Sequence, residues 1–259
     1  MSIFEALLLG LVQGVTEFLP VSSSGHLAVL EHLWKLPAES RLPLTTMLHG
    51  ATALAVIFYF APLLARLTRG LWARDTARRS SSWRMVGFIV VASIPAGVIG
   101  VVFSDLIDRA FSSPHLVGLM LLVTGGVLFG TRFSQPQGKT SWVRVFLVGI
   151  GQAIAILPGI SRSGATIASG LYLGMERKEA LEFSFLLAIP AIAGAFLLEF
   201  RKVDLAVLNP PALAVGMVAA FLAGLAALFL LARAVAGRKL HWFGFYCWLA
   251  GLATILFVR

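Results

Sequence analysis

Between Gln13 and Leu27 the chain reads QGVTEFLPVSSSGHL. This stretch holds a carboxylate (Glu17), three consecutive serines (Ser22, Ser23 and Ser24), a glycine (Gly25) and a histidine (His26). A hydroxyl beside a base is a candidate nucleophile, and an imidazole can move a proton near neutral pH or attack phosphorus itself. A serine run at a helix start also serves as a cap, so nucleophile, pocket donor and cap all stay open for each of the three. A second polar cluster lies at 157–164, LPGISRSG, where Ser161, Arg162, Ser163 and Gly164 follow a Leu-Pro pair. The guanidinium of Arg162 is permanently charged and presents five donors, a geometry suited to bidentate recognition of phosphate.

What surrounds these clusters decides how they are read. The chain has 259 residues, 58% of them hydrophobic, only 13% charged, with a mean hydropathy of +0.89. Soluble domains carry about 25% charged residues, so the composition indicates an integral membrane protein. Uncharged runs at 42–65, 85–103, 115–131, 183–198, 205–232 and 240–258 approach or exceed the roughly 20 residues that a membrane helix needs. About six transmembrane helices are therefore expected, in a single polytopic membrane domain over 1–259. The segments 1–30 and 145–175 fit badly as spans. Glu5 and Glu17 interrupt the first, and Arg162 with several Gly and Ser interrupts the second.

An ionisable residue at membrane depth is costly and by default marks function. For Glu17 the alternative is an interfacial position at a hairpin mouth; for Arg162 it is a structural ion pair with Glu17. His49 lies mid-run beside Gly50 and is a weaker candidate. The stretch RRSSSW at 78–83 reads as solvated linker in a basic loop. The single cysteine, Cys247, excludes an internal disulfide and a cysteine-based metal site. The net charge of +9 would suggest nucleic acid in a soluble protein. Here the cations fall in short loops, where they set orientation and meet anionic lipid headgroups, and no nucleic-acid partner is expected. Arg66, Arg69, Arg74, Arg78, Arg79 and Arg84 share one loop, which is placed in the cytoplasm. Alternation then puts the loops near 105–114 and 199–211 outside. The N-terminus lacks the basic leader and cleavage region of a signal peptide.

The two awkward segments resemble each other. At an offset of 139 residues, QGVTEFLPVSSSG (13–25) lies over QAIAILPGISRSG (152–164), matching Gln13 with Gln152, Ser22 with Ser161, Ser24 with Ser163 and Gly25 with Gly164. Charge places the two copies on opposite faces. The expected fold is an all-α integral membrane protein with an inverted-topology repeat, halves roughly 1–114 and 115–259, and re-entrant helix hairpins roughly at 1–30 and 145–175. In such folds interrupted helices meet near the midplane and form the binding site. Helix N-termini there attract anions, so Ser22, Ser24, Gly25, Ser161, Ser163 and Gly164 are the candidate phosphate-binding positions.

TEFLPVSSSGHL (16–27) and LPGISRSGATI (157–167), continued by GLYLGMERKEALEFSFLLAIP (170–190), resemble the undecaprenyl-diphosphate phosphatase family, also called the bacitracin-resistance protein. The resemblance implies removal of the terminal phosphate of undecaprenyl diphosphate at the outer face of the bacterial plasma (inner) membrane, with the active site toward the periplasm or exterior. The product is the monophosphate carrier used in peptidoglycan synthesis, and the activity confers bacitracin resistance. It further implies a homodimer, a polyprenyl diphosphate lipid as substrate, and a divalent cation, Mg²⁺ or Ca²⁺. The family's functional residues fall on Glu17, Ser23, His26 and Arg162. The acidic motif has Glu or Gln at its first position; this chain has Gln13, which removes one carboxylate ligand and leaves Glu17 with the weaker amide oxygen of Gln13 as metal candidates. Two readings of another class remain, an inverted-repeat transporter and a lipid flippase for a phosphorylated substrate. SSSGH also resembles the other large lipid-phosphatase superfamily, but no histidine follows Arg162 until His241.

Overall fold

Proline and hydrophobic run length decide where the helices break. The computed structural model describes residues 2–34, 38–111, 113–138, 140–201, 203 and 209–258. Part of the loop at 199–211, expected on the outside, lies outside the described residues, namely 202 and 204–208. Helix α1 (Ile3–Phe18) starts on a capping box between Ser2 and Glu5 and ends at Leu19, held extended by Pro20. After a short elbow, α2 (Ser23–Leu33) begins. The remaining helices are α3 (Ala38–Tyr59), α4 (Ala61–Leu71), α5 (Thr76–Val102), α6 (Ser104–Phe111), α7 (Pro114–Gly130), α8 (Trp142–Ile154), α9 (Arg162–Tyr172), α10 (Arg177–Phe200), α11 (Pro210–Ala236) and α12 (Trp242–Phe257). No strand occurs among the described residues.

Among the described residues five segments are long and apolar enough to cross a membrane: 42–59, 76–102, 114–133, 177–200 and 210–236. The sixth apolar run is α12, whose 16 residues are about 24 Å long at 1.5 Å per residue, against a hydrocarbon core of about 30 Å. The protein is thus an all-α, multi-pass membrane protein, with five helices of spanning length and a shorter sixth among the described residues. Large side chains cover its outside, among them Phe58, Val101, Leu197 and Leu249, as a lipid-facing surface requires. Trp72, Trp83, Trp142 and Trp242 are exposed near helix ends, as interface belts are.

Two expectations need correction. The run 42–65 is not one helix: it breaks at Phe60, because Pro62 in the first turn of α4 cannot donate back to the preceding helix. The serines of RRSSSW are not linker. Asp75 caps α5 by accepting from the Ala77 N–H at 2.9 Å, so Ser80, Ser81 and Ser82 are helical. Ser82 is buried against Gly70 of α4, where a Cβ would lie 2.0 Å from the Ser82 hydroxyl.

The short helices pack tightly against long ones. Helix α1 lies on α11 and α8 lies on α5, while α7 pairs with α12 and α3 with α10. Close crossing requires a residue without a side chain. A Cβ on Gly10 of α1 would fall 2.2 Å from the Gly216 carbonyl oxygen of α11, and one on Gly149 of α8 would fall 2.3 Å from the Ala92 carbonyl oxygen of α5. Inside the bundle Phe185 of α10 joins the two sides, 5.9 Å from Phe18 and 5.1 Å from Phe60 between ring centroids. These contacts hold the elbows at 19–22 and 155–161 in place.

Candidate active site

Both elbows are capped in the same way. In the first, Ser22 has φ 68° and its Oγ accepts from the Gly25 N–H at 3.3 Å, with Ser24 Oγ at 3.3 Å. In the second, Ser161 Oγ accepts from the Gly164 N–H at 3.1 Å, with Ser163 Oγ at 3.2 Å. The Gly25 and Gly164 N–H groups are therefore engaged within their own caps, and Ser22 and Ser161 are the N-caps of α2 and α9. The elbows also touch each other. A Cβ on Gly25 would be 3.3 Å from Gly159 Cα, and one on Gly164 would be 3.2 Å from Pro20 Cβ. Ser163 Oγ donates to the Leu19 carbonyl at 3.5 Å. Helix α7 secures the second elbow through Thr124, whose hydroxyl donates to the Gly159 carbonyl at 2.9 Å. Helix α12 secures the first through Cys247, whose thiol donates to the Pro20 carbonyl at 3.5 Å.

Glu17, from the last turn of α1, is the centre of the polar cluster. Its Oε2 accepts from Ser23 Oγ at 2.6 Å and from Gln13 Nε2 at 3.1 Å, while its Oε1 accepts from Arg162 Nη2. Residues 145 positions apart are thereby joined. The Glu17 side chain is 2% exposed and that of Arg162 24%, so the acid is enclosed and the guanidinium partly faces the cavity. Opposite Ser23, His49 Nε2 approaches Glu17 Oε2 to 3.6 Å, and its Nδ1–H donates to the Thr45 carbonyl at 2.8 Å. A cavity of about 650 Å³ opens over this cluster, bordered by Glu17, Ser23, His49, Gln152 and Arg162. Between α5 and α10 its lining is mainly apolar, with Ser93 and Glu199 as the polar exceptions there.

His26 sits apart from that arrangement. Its Nδ1–H donates to the Ser22 carbonyl at 2.8 Å, and Nε2 accepts from the Tyr246 hydroxyl at 2.7 Å. The two rings stack with centroids 5.6 Å apart. Both imidazole nitrogens are thus engaged, and His26 is not among the residues bordering the cavity.

His49 and Gln152 are the residues that reading the sequence undervalued. What marks the His49 side of α3 is visible only in the fold: Thr52, three residues on, has its hydroxyl 3.5 Å from Gln13 Nε2. For Gln152 the signal was its match to Gln13 in the repeat.

The described residues include no group of three or more His, Cys, Asp or Glu arranged to hold a metal. Among the described residues two carboxylates border the cavity: Glu17, and Glu199 of α10, which accepts from the Thr46 hydroxyl at 3.2 Å. Gln13 is buried, and its Oε1 has no hydrogen-bond partner. One carboxylate, one free amide oxygen and the Ser23 hydroxyl suit a hard cation that completes its shell with substrate phosphate and water, as Mg²⁺ commonly does.

An enclosed carboxylate that accepts from a serine hydroxyl, beside an arginine in a lipid-facing protein, can activate that hydroxyl as a nucleophile toward a phosphoryl group. Comparison with known proteins agrees in kind. Residues 6–253 match the family model described as bacitracin resistance protein BacA. The chain is 42% identical to the undecaprenyl-diphosphatase of Desulfatibacillum aliphaticivorans, over 97% of each chain. It is 40% identical to that of Alkaliphilus metalliredigens, over 99% of each. It is 36% identical to that of Korarchaeum cryptofilum, over 98% of this chain and 99% of the other. With nearly the whole length matched, the chain belongs to the bacitracin resistance protein BacA family.

Proposed function

We propose that the protein is an undecaprenyl-diphosphate phosphatase. It hydrolyses undecaprenyl diphosphate to undecaprenyl phosphate and inorganic phosphate, recycling the lipid carrier for peptidoglycan synthesis and so conferring bacitracin resistance. The observation that carries this reading is the contact of Ser23 Oγ and Arg162 Nη2 with the two oxygens of one enclosed carboxylate.

In this reading Ser23 Oγ attacks the terminal phosphorus while Glu17, already its hydrogen-bond acceptor, takes the proton. The bond from phosphorus to the bridging oxygen breaks, and the prenyl monophosphate leaves. Water then attacks the phosphoserine, Glu17 returns the proton to Ser23 Oγ, and phosphate departs. Arg162 neutralises charge on the transferred phosphoryl oxygens, where such stabilisation counts most. Ser23 is favoured over His26 as nucleophile because both His26 nitrogens are engaged away from the cavity. His26 instead steadies the elbow through Ser22 and Tyr246. Glu17 and Gln13 Oε1 would hold a Mg²⁺ or Ca²⁺ ion, which supplies further neutralisation of the phosphate oxygens.

The cavity is built by an inverted repeat whose re-entrant hairpins, roughly 1–30 and 145–175, meet from opposite leaflets. Support for this comes from reciprocity at the offset of 139 residues (Gln13 to Gln152). Gly25 touches Gly159 while Gly164 touches Pro20, and Gly10 closes on α11 while Gly149 closes on α5. The active site opens to the periplasm or exterior of the plasma (inner) membrane, an orientation resting on the Arg-rich segment around α4. The protein acts as a homodimer, as the family resemblance implies.

The test is phosphate release from undecaprenyl diphosphate by purified protein in detergent. Wild type releases phosphate, and Ser23→Ala and Arg162→Ala, still inserted and folded, do not. Release by Ser23→Ala at the wild-type rate removes Ser23 as nucleophile. No release by wild type favours a transporter or flippase, which needs a sealed membrane.

A further inference from the structure

Two features of the cavity are not used by Glu17, Ser23 and Arg162. The first is Gln152 of α8. It is 3% exposed, it borders the cavity, and neither Oε1 nor Nε2 has a hydrogen-bond partner among the described residues. A buried amide unpaired at both ends is costly, and such a group calls for an explanation. Gln13, its counterpart in the first elbow, places its Nε2 on Glu17.

The second feature is the apolar arm between α5 and α10, helices that contain Pro95 and Pro190. Gly97 of α5 and Gly194 of α10 border it, and a Cβ on either would meet nothing within 4 Å. At Gly100 the one neighbour is Ile156, at 3.8 Å. Gly10 and Gly149 close helix crossings, but these glycines close nothing. A helix glycine is less stable than alanine there, so glycines bordering open space on two walls keep a passage wide.

The packing orders these features. Along α5, Trp142 meets Gly87, Gly149 meets Ala92 and Ile156 lies nearest Gly100. Gln152 therefore sits between the levels of Ala92 and Gly100, where the charged end of the cavity passes into the apolar arm.

We propose, resting on the phosphatase reading above, that Gln152 binds substrate, its Nε2 donating to the phosphate that stays on the prenyl chain, and that Gly97, Gly100 and Gly194 wall the slot admitting the first isoprene units. The lipid-side phosphate gains negative charge as the leaving group separates, so a donor there counts more in the transition state than in the ground state. A hydrogen bond to a charged group is worth roughly a 10- to 100-fold effect.

The experiment uses purified full-length wild type, Gln152→Leu, Gln152→Glu, Gly97→Leu and Gly194→Leu. Phosphate release is measured from dimethylallyl, farnesyl and undecaprenyl diphosphate. Melting is measured without ligand and with a non-hydrolysable farnesyl diphosphonate. Gln152→Leu melts at or above wild type without ligand, because it removes an unpaired amide. It loses the rise in melting temperature that the diphosphonate gives, and its kcat/KM falls roughly 10- to 100-fold on all three substrates. Gln152→Glu, of the same shape, loses at least as much through repulsion, and serves alone where the leucine variant does not accumulate. Gly97→Leu and Gly194→Leu lose kcat/KM in an order set by chain length, least on dimethylallyl diphosphate and most on undecaprenyl diphosphate. Unchanged kcat/KM and diphosphonate response in the Gln152 variants overturn the assignment of Gln152. Equal losses on all chain lengths in the glycine variants, or none, overturn the slot. If wild type hydrolyses none of the three, the phosphatase reading fails by itself. The diphosphonate response and its loss in Gln152→Leu still decide whether Gln152 binds.

Discussion

Removing either partner of the Glu17–Arg162 pair should abolish phosphate release, yet the two losses should differ in stability. Breaking a buried pair costs about 3–5 kcal/mol when the surviving charge is left enclosed, and about 1 kcal/mol or less when that charge reaches water. In Arg162→Ala the survivor is the Glu17 carboxylate, whose side chain is 2% exposed. It keeps the Ser23 hydroxyl at 2.6 Å and the Gln13 amide at 3.1 Å, which sets its cost near the lower end, about 3 kcal/mol. In Glu17→Gln the survivor is a guanidinium whose side chain is 24% exposed to the cavity, so the cost is about 1 kcal/mol.

At roughly 2–4 °C per kcal/mol for a domain of this order of size, Arg162→Ala melts about 6–12 °C below wild type and Glu17→Gln about 2–4 °C below. The assay is an unfolding scan in detergent followed by the fluorescence of the six tryptophans. Activity alone does not separate the two variants, so the melting order is the informative result. If Glu17→Gln melts as low as Arg162→Ala or lower, the carboxylate is not the enclosed member of the pair, and the geometry argued for proton transfer from Ser23 loses its basis.

The other perturbations address the scaffold and the cation. Gly10→Leu places its Cβ 2.2 Å from the Gly216 carbonyl and forces α1 off α11, so little folded protein should elute by size exclusion, whereas Gly126→Ala, with no atom within 4 Å of the new Cβ, should elute as wild type. Ser161→Ala removes the cap on the Gly164 N–H and should lower the melting temperature by about 2–4 °C, the equivalent of about 1 kcal/mol. Chelation by EDTA should cut phosphate release at least roughly tenfold, with recovery on adding Mg²⁺ or Ca²⁺; activity indifferent to EDTA would count against Glu17 and Gln13 as cation ligands. Tyr246→Phe removes the donor to His26 Nε2 but leaves the cavity intact, so its loss of turnover should stay within about tenfold, the scale of one neutral hydrogen bond; a loss as deep as that of Ser23→Ala would move His26 into the chemistry.

Much of this site was legible because lipid penalises isolated charge. Glu17 and Arg162 stood out as the interruptions in otherwise apolar segments, and opposite charges at that depth need partners. The elbows were legible from Leu-Pro followed by Ser, since Pro ends a helix and Ser starts the next. His49 was less visible because an uncharged run carries no register: nothing in 42–65 says which face of α3 turns toward α1. The break at Phe60 was lost for a related reason, as hydropathy continues smoothly across a proline. Ser80, Ser81 and Ser82 misled because serine is common in loops, whereas a cap at Asp75 and a facing glycine at Gly70 were enough to make them helical.

The likeness of the two elbows raises a problem that their differences solve. Two copies with the same side chains would bring like charges together in a medium that tolerates neither. At the offset that superposes Gln13 on Gln152, Ser23 falls on Arg162 and Glu17 falls on Ile156. One copy therefore supplies the acid and the hydroxyl, and the other supplies the cation where the first has its hydroxyl. The counterpart of the acid is an isoleucine bordering the cavity near Gly100, on the side where an apolar chain must lie. The caps Ser22 and Ser161, which hold the helix starts and border the cavity, are the same in both. The capping positions are alike in the two elbows, while the positions of the acid, the hydroxyl and the guanidinium differ, as a substrate with one anionic end and one hydrocarbon end requires.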